Sequence, residues 1–316
     1  MSRKLDTPPP GPYRNVHIYD NDGQVLGAFY QNGSITNIDL YGMCDIFIIA
    51  AEQFTLFRHN KDGSTGSRVI KNEETLLAEL YVILTNNGKP NSVRITHECA
   101  PRRIVTRDAS SKSTPQTKLF HDRVFARDNQ CVISGTQHIS PADFSLFNAA
   151  HIFPYAREQA WVNEYMSRWI TDKAPSEEQG ENKIHSVQNG LLVRVDVHKL
   201  FDIYGVSVNV DDGYRIVCFG PDPINIDGRT LSLRCRDPKN PDRVSDQLLQ
   251  WHYRQAALAM VKGKGQKPWD DSYDSDIMAE IQEGPDAAER MEVELFTRLG
   301  AGEIDYSAAP AEARPP

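Results

Sequence analysis

The chain has 316 residues, which is long enough for two compact units with tails. Hydrophobic residues make up 40% of it, charged residues 25%, and the mean hydropathy is -0.51; no apolar run approaches the roughly 18 residues that span a bilayer. The net charge of -8 has the wrong sign for a protein that coats nucleic acid through its overall field, so a nucleic-acid role requires a local basic segment.

Cysteine usage and the first residues bear on the compartment. The N-terminus MSRKLDTPPPGP runs from charge into proline, without the apolar stretch of a secretory signal. The five cysteines are odd in number and contain no C-x-x-C pair, which argues against a disulfide framework and a cysteine-rich zinc site. We therefore expect an intracellular protein, in the nucleus or the cytoplasm.

The N-terminal third predicts a small α+β unit. Residues 1–12 are proline-rich, which predicts disorder. Two β-rich runs then flank Asn21-Asp22-Gly23 and predict a hairpin, because Asp-Gly favours a tight turn. Helical spacing follows over residues 38–54 and 73–84, and residues 92–98 read as a strand. We group residues 13–100 as one unit of unknown role.

Residues 101–127 predict a basic linker followed by a short helix over residues 117–128. Between residues 94 and 127, eight lysines and arginines face three acidic residues. A solvated linker explains such a charge run equally well. If the segment binds nucleic acid, the predicted phosphate contacts are Arg102, Arg103, Arg107, Arg123 and Arg127.

A second unit is predicted over residues 128–220. It contains a short strand at residues 131–135, the strand AAHI, an aromatic helical run at residues 160–170, and a hairpin around the Asp-Asp-Gly of residues 211–213. Residues 221–300 predict a helical extension, with helices at residues 244–263 and 285–299. Residues 301–316 predict a disordered tail, and no internal repeat is present.

The second unit contains four polar residues that could form a reaction site together. His151 ends the AAHI strand, and Asn189 precedes Gly190 in a turn that we expect to lead into a helix. His198 would then lie about two turns into that helix, with Asp202 four residues further on the same helical face. An imidazole and a carboxylate at this spacing suit Mg²⁺, Mn²⁺ or Zn²⁺.

The blocks CVISG, AAHIFP and NGLLVRVDVHKLFD, in this order, resemble the HNH endonucleases. The closest likeness is to the branch with A-A-H-I-x-P and N-G-L-L-x-R-x-D-x-H-x-L-F-D, in particular to its fungal members. The strict motif covers residues 131–202. The resemblance implies an α+β chain with a ββα-metal core, helical decorations and DNA, or alternatively RNA, as the substrate.

The resemblance also implies residue roles. His151 would be the general base, and Asn189 would position that base or its loop. His198 would bind one divalent metal, Mg²⁺ or Mn²⁺ with Zn²⁺ as the alternative, together with Asp202. No organic cofactor and no membrane is implied, and the oligomeric state stays open.

One position departs from the family pattern. Many HNH enzymes carry an aspartate or histidine ligand directly before the catalytic histidine, where this chain has Ala150. Asn148 and Asp196 are the local substitutes. Two alternatives to a DNA endonuclease therefore stay open: a catalytically degenerate HNH module that binds nucleic acid or a protein partner, and a metal-dependent hydrolase of another ester.

Each residue also has an ordinary structural interpretation. His151 alone could be a core histidine, and Asn189 could simply be the turn residue before Gly190, a role compatible with positioning. His198 fits an amphipathic helix, and Asp202 fits a helix-end carboxylate. The other histidines show no metal-binding spacing, and we expect them to be structural or exposed: His17, His59, His97, His121, His138, His185 and His252.

Overall fold

The computed structural model describes residues 14–60, 64–101, 115–138 and 146–263. The predicted disorder at residues 1–12 and 301–316, the helix at residues 285–299 and most of the basic linker lie outside these ranges. The described residues form an α+β fold. None of the described helices is long and apolar enough to cross a membrane.

A five-stranded sheet organises the N-terminal unit. Its strand order is β2-β1-β6-β4-β5, with β1 and β6 parallel and the other neighbours antiparallel. The elements of this unit are β1 (Val16–Tyr19), β2 (Val25–Phe29), α1 (Asn37–Phe47), β3 (Ile48–Ala50), β4 (Phe54–His59), β5 (Thr65–Arg68), β6 (Leu80–Thr85) and β7 (Val93–Ile95). The predicted Asp-Gly hairpin is confirmed as β1 and β2, joined through Gly23 at φ 85°.

Of the two helix predictions in this unit, the first was right up to Phe47 and wrong beyond it, and the second was wrong. Helix α1 begins with a capping box between Thr36 and Asp39 but ends at Phe47. The β-branched residues Ile48 and Ile49 follow the helix and form β3, which pairs with β7. The run at residues 73–84 yields strand β6, buried in the middle of the sheet, because a short apolar run fits a central strand as well as a helix.

The second unit surrounds an antiparallel strand pair, β8 and β9. Its elements are α2 (Pro115–Asp128), β8 (Phe147–His151), α3 (Glu158–Asn163), α4 (Ser176–Gln179), β9 (Gly190–Arg194), α5 (Val195–Asp202), β10 (Val206–Asn209), β11 (Arg215–Cys218), α6 (Leu233–Arg236) and α7 (Asp246–Ala256). Helix α7 continues as a π-helical turn over Ala257–Val261. The predictions of helix α2, strand β8, the β10–β11 hairpin and helix α7 are confirmed.

Three local predictions in the second unit were wrong. Residues 131–135 form a turn rather than a strand. The helical run at residues 160–170 breaks at Tyr165, whose φ is 54°. The segment after Asn189 enters strand β9 rather than a helix, since its apolar residues pair with β8, and the helix begins only at Val195. His198 therefore lies in the first turn of α5.

Two apolar cores are shared across the predicted units. The N-terminal core includes Tyr204, Val217 and Phe219 from around the β10–β11 hairpin and the end of the α7 segment at Ala257–Val261. The other core surrounds β8 and β9 and takes in Leu248 from the start of α7. The predicted boundaries at residues 100 and 220 stay predictions, but apolar packing runs across both.

Candidate active site

The register between β8 and β9 fixes where the motif side chains point. Asn148 lies opposite Val193, and His151, the last residue of β8, lies opposite Gly190. Side chains alternate between the two faces of a strand, so Asn148 and Ala150 share one face and His151 lies on the other. Different helices cover these two faces.

Helix α5 covers the face of Asn148 and forms the first half of the site. His198 Nδ1 lies 3.0 Å from the Asn148 side-chain amide nitrogen. His198 Nε2 lies 3.3 Å from Asp202 Oδ2, and these two side chains are 12% and 8% exposed. The predicted closeness of His198 and Asp202 is therefore observed, in a mostly buried setting beside β8.

His198 and Asp202 have the spacing of two ligands that share one ion. Two atoms bound at about 2.1 Å each lie about 3 Å apart when they meet the ion at a right angle. A half-turn of the Asn148 amide would let its oxygen accept from His198 Nδ1, which leaves the Nε2 lone pair for a cation. Within the described residues, no group of three or more His, Cys, Asp or Glu side chains gathers. His198 and Asp202 are therefore the two side chains that could hold a divalent ion here.

Asn148 and Asp196, the two proposed substitutes for the ligand missing at Ala150, lie in different surroundings. Ala150 brings only a methyl group to this face and is 1% exposed. Asp196 pairs with Arg194 at 2.8 Å, and its side chain is 41% exposed. Asn148 is therefore the substitute that the structure brings to His198.

Helix α2 covers the other face and seats His151. Phe120 stacks on the His151 imidazole with 3.9 Å between ring centroids and 11° between planes. Gly190 permits this approach, since a Cβ there would lie 2.7 Å from Phe120 Cε2. The predicted base and the predicted metal ligand His198 thus lie on opposite faces of the strand pair, and the structure shows no direct contact between these two described residues.

Asn189 ties the chain that follows His151 to the start of β9. Its Oδ1 accepts from Phe153 N at 2.8 Å, and its Nδ2 donates to Phe153 O at 3.2 Å and Ile184 O at 2.9 Å. Its backbone oxygen accepts from Ile152 N at 2.8 Å. The side chain is fully buried. This is the arrangement that a loop-positioning role requires.

His185 is a candidate that sequence reasoning had placed among the structural or exposed histidines. Its Nδ1 lies 3.2 Å from His151 Nε2, across 34 positions of sequence. The ring is buried, and burial lowers the pKa of His185 below its ordinary value while Glu158 acts in the opposite direction. No spacing rule reveals this contact; the available signal was the position four residues before Asn189, in the block IHSVQNG.

The predicted phosphate-binding arginines divide into two groups. Arg102, Arg103 and Arg107 lie outside the described residues. Arg123 pairs with Asp172 at 2.8 Å. The Arg127 side chain is 2% exposed and donates to backbone oxygens, including Gly190 O at 2.7 Å. Helix α2 thus turns Arg127 into the interior, where it holds β9 in place, and this position disagrees with a surface contact to phosphate.

Comparison with known families agrees with the motif. Residues 131–209 match the family model HNH_2, described as HNH endonuclease. Residues 13–89 match a domain of unknown function, DUF8573. No curated protein and no solved structure matches the chain significantly. The first match supports placing residues 131–209 in the HNH endonuclease family, which implies nuclease chemistry and a nucleic-acid substrate in general terms.

Proposed function

We propose that β8, β9 and α5 form the ββα-metal core of an endonuclease that hydrolyses DNA phosphodiester bonds. The observation that carries this proposal is that α5 follows β9 without a break and brings His198 against Asn148 of β8, with Asp202 beside His198. The family match over residues 131–209 supports the same chemistry. RNA is the alternative substrate.

His151 takes the role of general base. Its imidazole in the neutral form accepts a proton from the attacking water. Asn189 holds the backbone at Ile152 and Phe153, and thereby the end of the strand that carries His151. In an in-line displacement the attacking and leaving oxygens lie on opposite sides of phosphorus, so the base and the metal must both reach a single phosphate from different sides.

His198 and Asp202 would hold one divalent ion, Mg²⁺ or Mn²⁺, with Zn²⁺ as the alternative. When bound, such an ion stabilises negative charge on phosphate and leaving-group oxygens. Asn148 sets the orientation of the His198 ring through Nδ1. Asn148 thus orients His198 with a neutral amide, and Ala150 has no side-chain atom that could bind a metal.

Cleavage of supercoiled plasmid DNA tests the proposal. We expect the wild type to nick the plasmid with Mg²⁺ or Mn²⁺ and to stop when the metal is chelated. We expect His151→Ala to lower the rate about 100-fold or more, because the base is lost. Equal rates for the wild type and His151→Ala would remove the assignment of the base.

A second function is favoured by two observations. Ala150 is buried without a donor atom, and the net charge is -8. Both suit a degenerate HNH module that binds nucleic acid or a protein partner without cutting. Calorimetric titration with Mn²⁺ separates the two functions, since the nuclease predicts stoichiometric binding that His198→Ala abolishes. A degenerate module predicts no such binding.

A further inference from the structure

His151 and His185 form a pair of imidazoles joined by one hydrogen bond. Their ring centroids lie 5.3 Å apart with 71° between the planes, and Nε2 of His151 lies 3.2 Å from Nδ1 of His185. Two ring nitrogens at this distance need a single proton between them, with one nitrogen donating and the other accepting. The protonation of each ring therefore depends on the other.

We propose that His185 is a positioning residue that fixes the tautomer of His151 and stabilises its protonated form. This inference rests on the proposed function only for the role of His151 as a base. His185 Nδ1 accepts from His151 Nε2–H, so in the neutral pair His151 Nδ1 carries the lone pair. When His151 gains a proton there, its bond to His185 becomes charge-assisted and strengthens.

The backbone around His185 is held in place before any substrate arrives. His185 N donates to Gln179 O at 3.1 Å. Asn182 Nδ2 donates to Glu158 Oε1 at 2.5 Å, and Asn182 O accepts from Trp161 Nε1 at 2.8 Å. These bonds anchor the segment to α3 and to the end of α4. Because His185 is already fixed, it can orient the His151 ring without a further loss of conformational entropy during the reaction.

The surroundings favour His185 as the neutral member of the pair. Burial lowers its pKa, so the ring becomes neutral at a lower pH than an ordinary histidine does. Glu158 of α3 is the charged group that acts on it, and it raises the pKa. The neighbouring aromatic groups are Phe120 from α2, 6.3 Å away between ring centroids, and the Tyr155 phenol, 4.8 Å away. A neutral His185 with its proton on Nε2 accepts from His151 at Nδ1, whereas a charged His185 could only donate.

Nuclear magnetic resonance titration of the histidine rings tests the proposal without DNA or metal. In the wild type, nitrogen shifts should show His151 with a proton on Nε2 and none on Nδ1. In His185→Leu the pKa of His151 should fall by about one unit, because the protonated ring loses its acceptor. In His185→Asn it should stay near the wild-type value, since the side-chain oxygen takes the place of Nδ1.

The matched control is His17→Asn, because His17 is also buried with a lowered pKa but lies in the N-terminal sheet. It should leave the pKa of His151 unchanged. An unchanged pKa in a folded His185→Leu protein would overturn the proposal. So would a wild-type His151 protonated on Nδ1 alone, and that measurement needs no variant.

The pH dependence of plasmid cleavage gives a second readout. The acidic limb should move to lower pH by the same one unit in His185→Leu and return in His185→Asn. A limb that stays in place while the His151 pKa shifts would contradict the role of His185 in the reaction. Absence of cleavage by the wild type would remove the proposed function, whereas the titration would still decide the pairing of the two rings.

Discussion

Asn189 is the residue at which the chain after β8 meets the start of β9. Its buried amide bonds three backbone groups at Phe153 and Ile184, and its backbone oxygen bonds a fourth at Ile152. The turn interpretation of Asn-Gly and the positioning interpretation hold together here. The side chain does the bridging while Gly190 begins the strand against α2.

Removing this amide should lower stability as well as activity. We expect Asn189→Ala to reduce the free energy of unfolding by about 3 kcal/mol, because it leaves a buried N–H and two carbonyls without partners. Urea unfolding measures the change. Asn163→Ala is the control, since the Asn163 side chain lies on the surface and, among the described residues, accepts from Gln159 alone; it should change stability by less than about 0.5 kcal/mol. Equal losses in the two variants would contradict the bridging role.

Two buried histidines make stability depend on pH. Burial lowers the folded-state pKa of His17 and of His185. In the unfolded chain these histidines have an ordinary pKa of about 6.5, so below that pH the unfolded state binds more protons than the folded state. Their stabilising contribution is present above that pH and is lost as pH falls through the lowered folded-state pKa.

We accordingly expect the urea midpoint of the wild type to fall between pH 7 and pH 5. The fall should be smaller in His17→Gln, in which this titration is removed. Midpoints measured at both pH values check the prediction. An identical fall in the two proteins would show that burial of His17 does not contribute.

At the scale of elements, the close approach of α2 to β9 is what brings Phe120 onto His151. A Cβ at position 190 would meet Val124 Cγ2 at 2.6 Å and Phe120 Cε2 at 2.7 Å. Those distances are below normal contact, so the helix has to move if the side chain grows. Arg127 reinforces the contact from the same helix by donating to Gly190 O.

Gly190→Ala should therefore destabilise the protein by about 1–3 kcal/mol and shift the ring protons of His151. The matched control is Gly42→Ala in α1, where an added Cβ meets nothing within 4 Å. That change should stabilise the protein by about 1 kcal/mol, because alanine favours a helix over glycine. Thermal unfolding and proton spectra compare the two. A Gly190→Ala protein as stable as the wild type would refute the close packing.

Comparison of the predicted and observed elements shows which features local sequence patterns can predict. Asp-Gly turns identified both hairpins, and the i, i+4 spacing brought His198 to Asp202. The apolar runs in β6 and β9 were misread in part as helix, since burial on both faces removes the strand alternation. The pairing of His151 with His185 and the burial of Arg127 depend on tertiary contacts, which no local pattern encodes.

At the scale of the whole molecule, the α7 segment links the two cores. Leu248 packs in the core around β8 and β9, and Leu258 packs in the N-terminal core. The chain after Gly205 also carries Val217 and Phe219 into the N-terminal core. Loss of one core should therefore loosen the other.

All four tryptophans lie outside the N-terminal unit, at positions 161, 169, 251 and 269. Leu258→Ala should nevertheless lower the urea midpoint of tryptophan fluorescence, with a loss of about 2–5 kcal/mol. Leu146→Ala, at a residue that is 66% exposed, is the control and should leave the midpoint unchanged. An unchanged midpoint in Leu258→Ala would mean that the two cores unfold independently.

The dependence of plasmid nicking on Mn²⁺ concentration, in the wild type, His198→Ala and Asp202→Asn, tests the central claim most directly. We expect saturable nicking by the wild type and at least about a tenfold weaker response to Mn²⁺ in both variants, because each removes one of two protein ligands. Nicking by all three proteins with the same Mn²⁺ dependence, or none by the wild type at any concentration, would contradict a metal-dependent nuclease site on β8, β9 and α5.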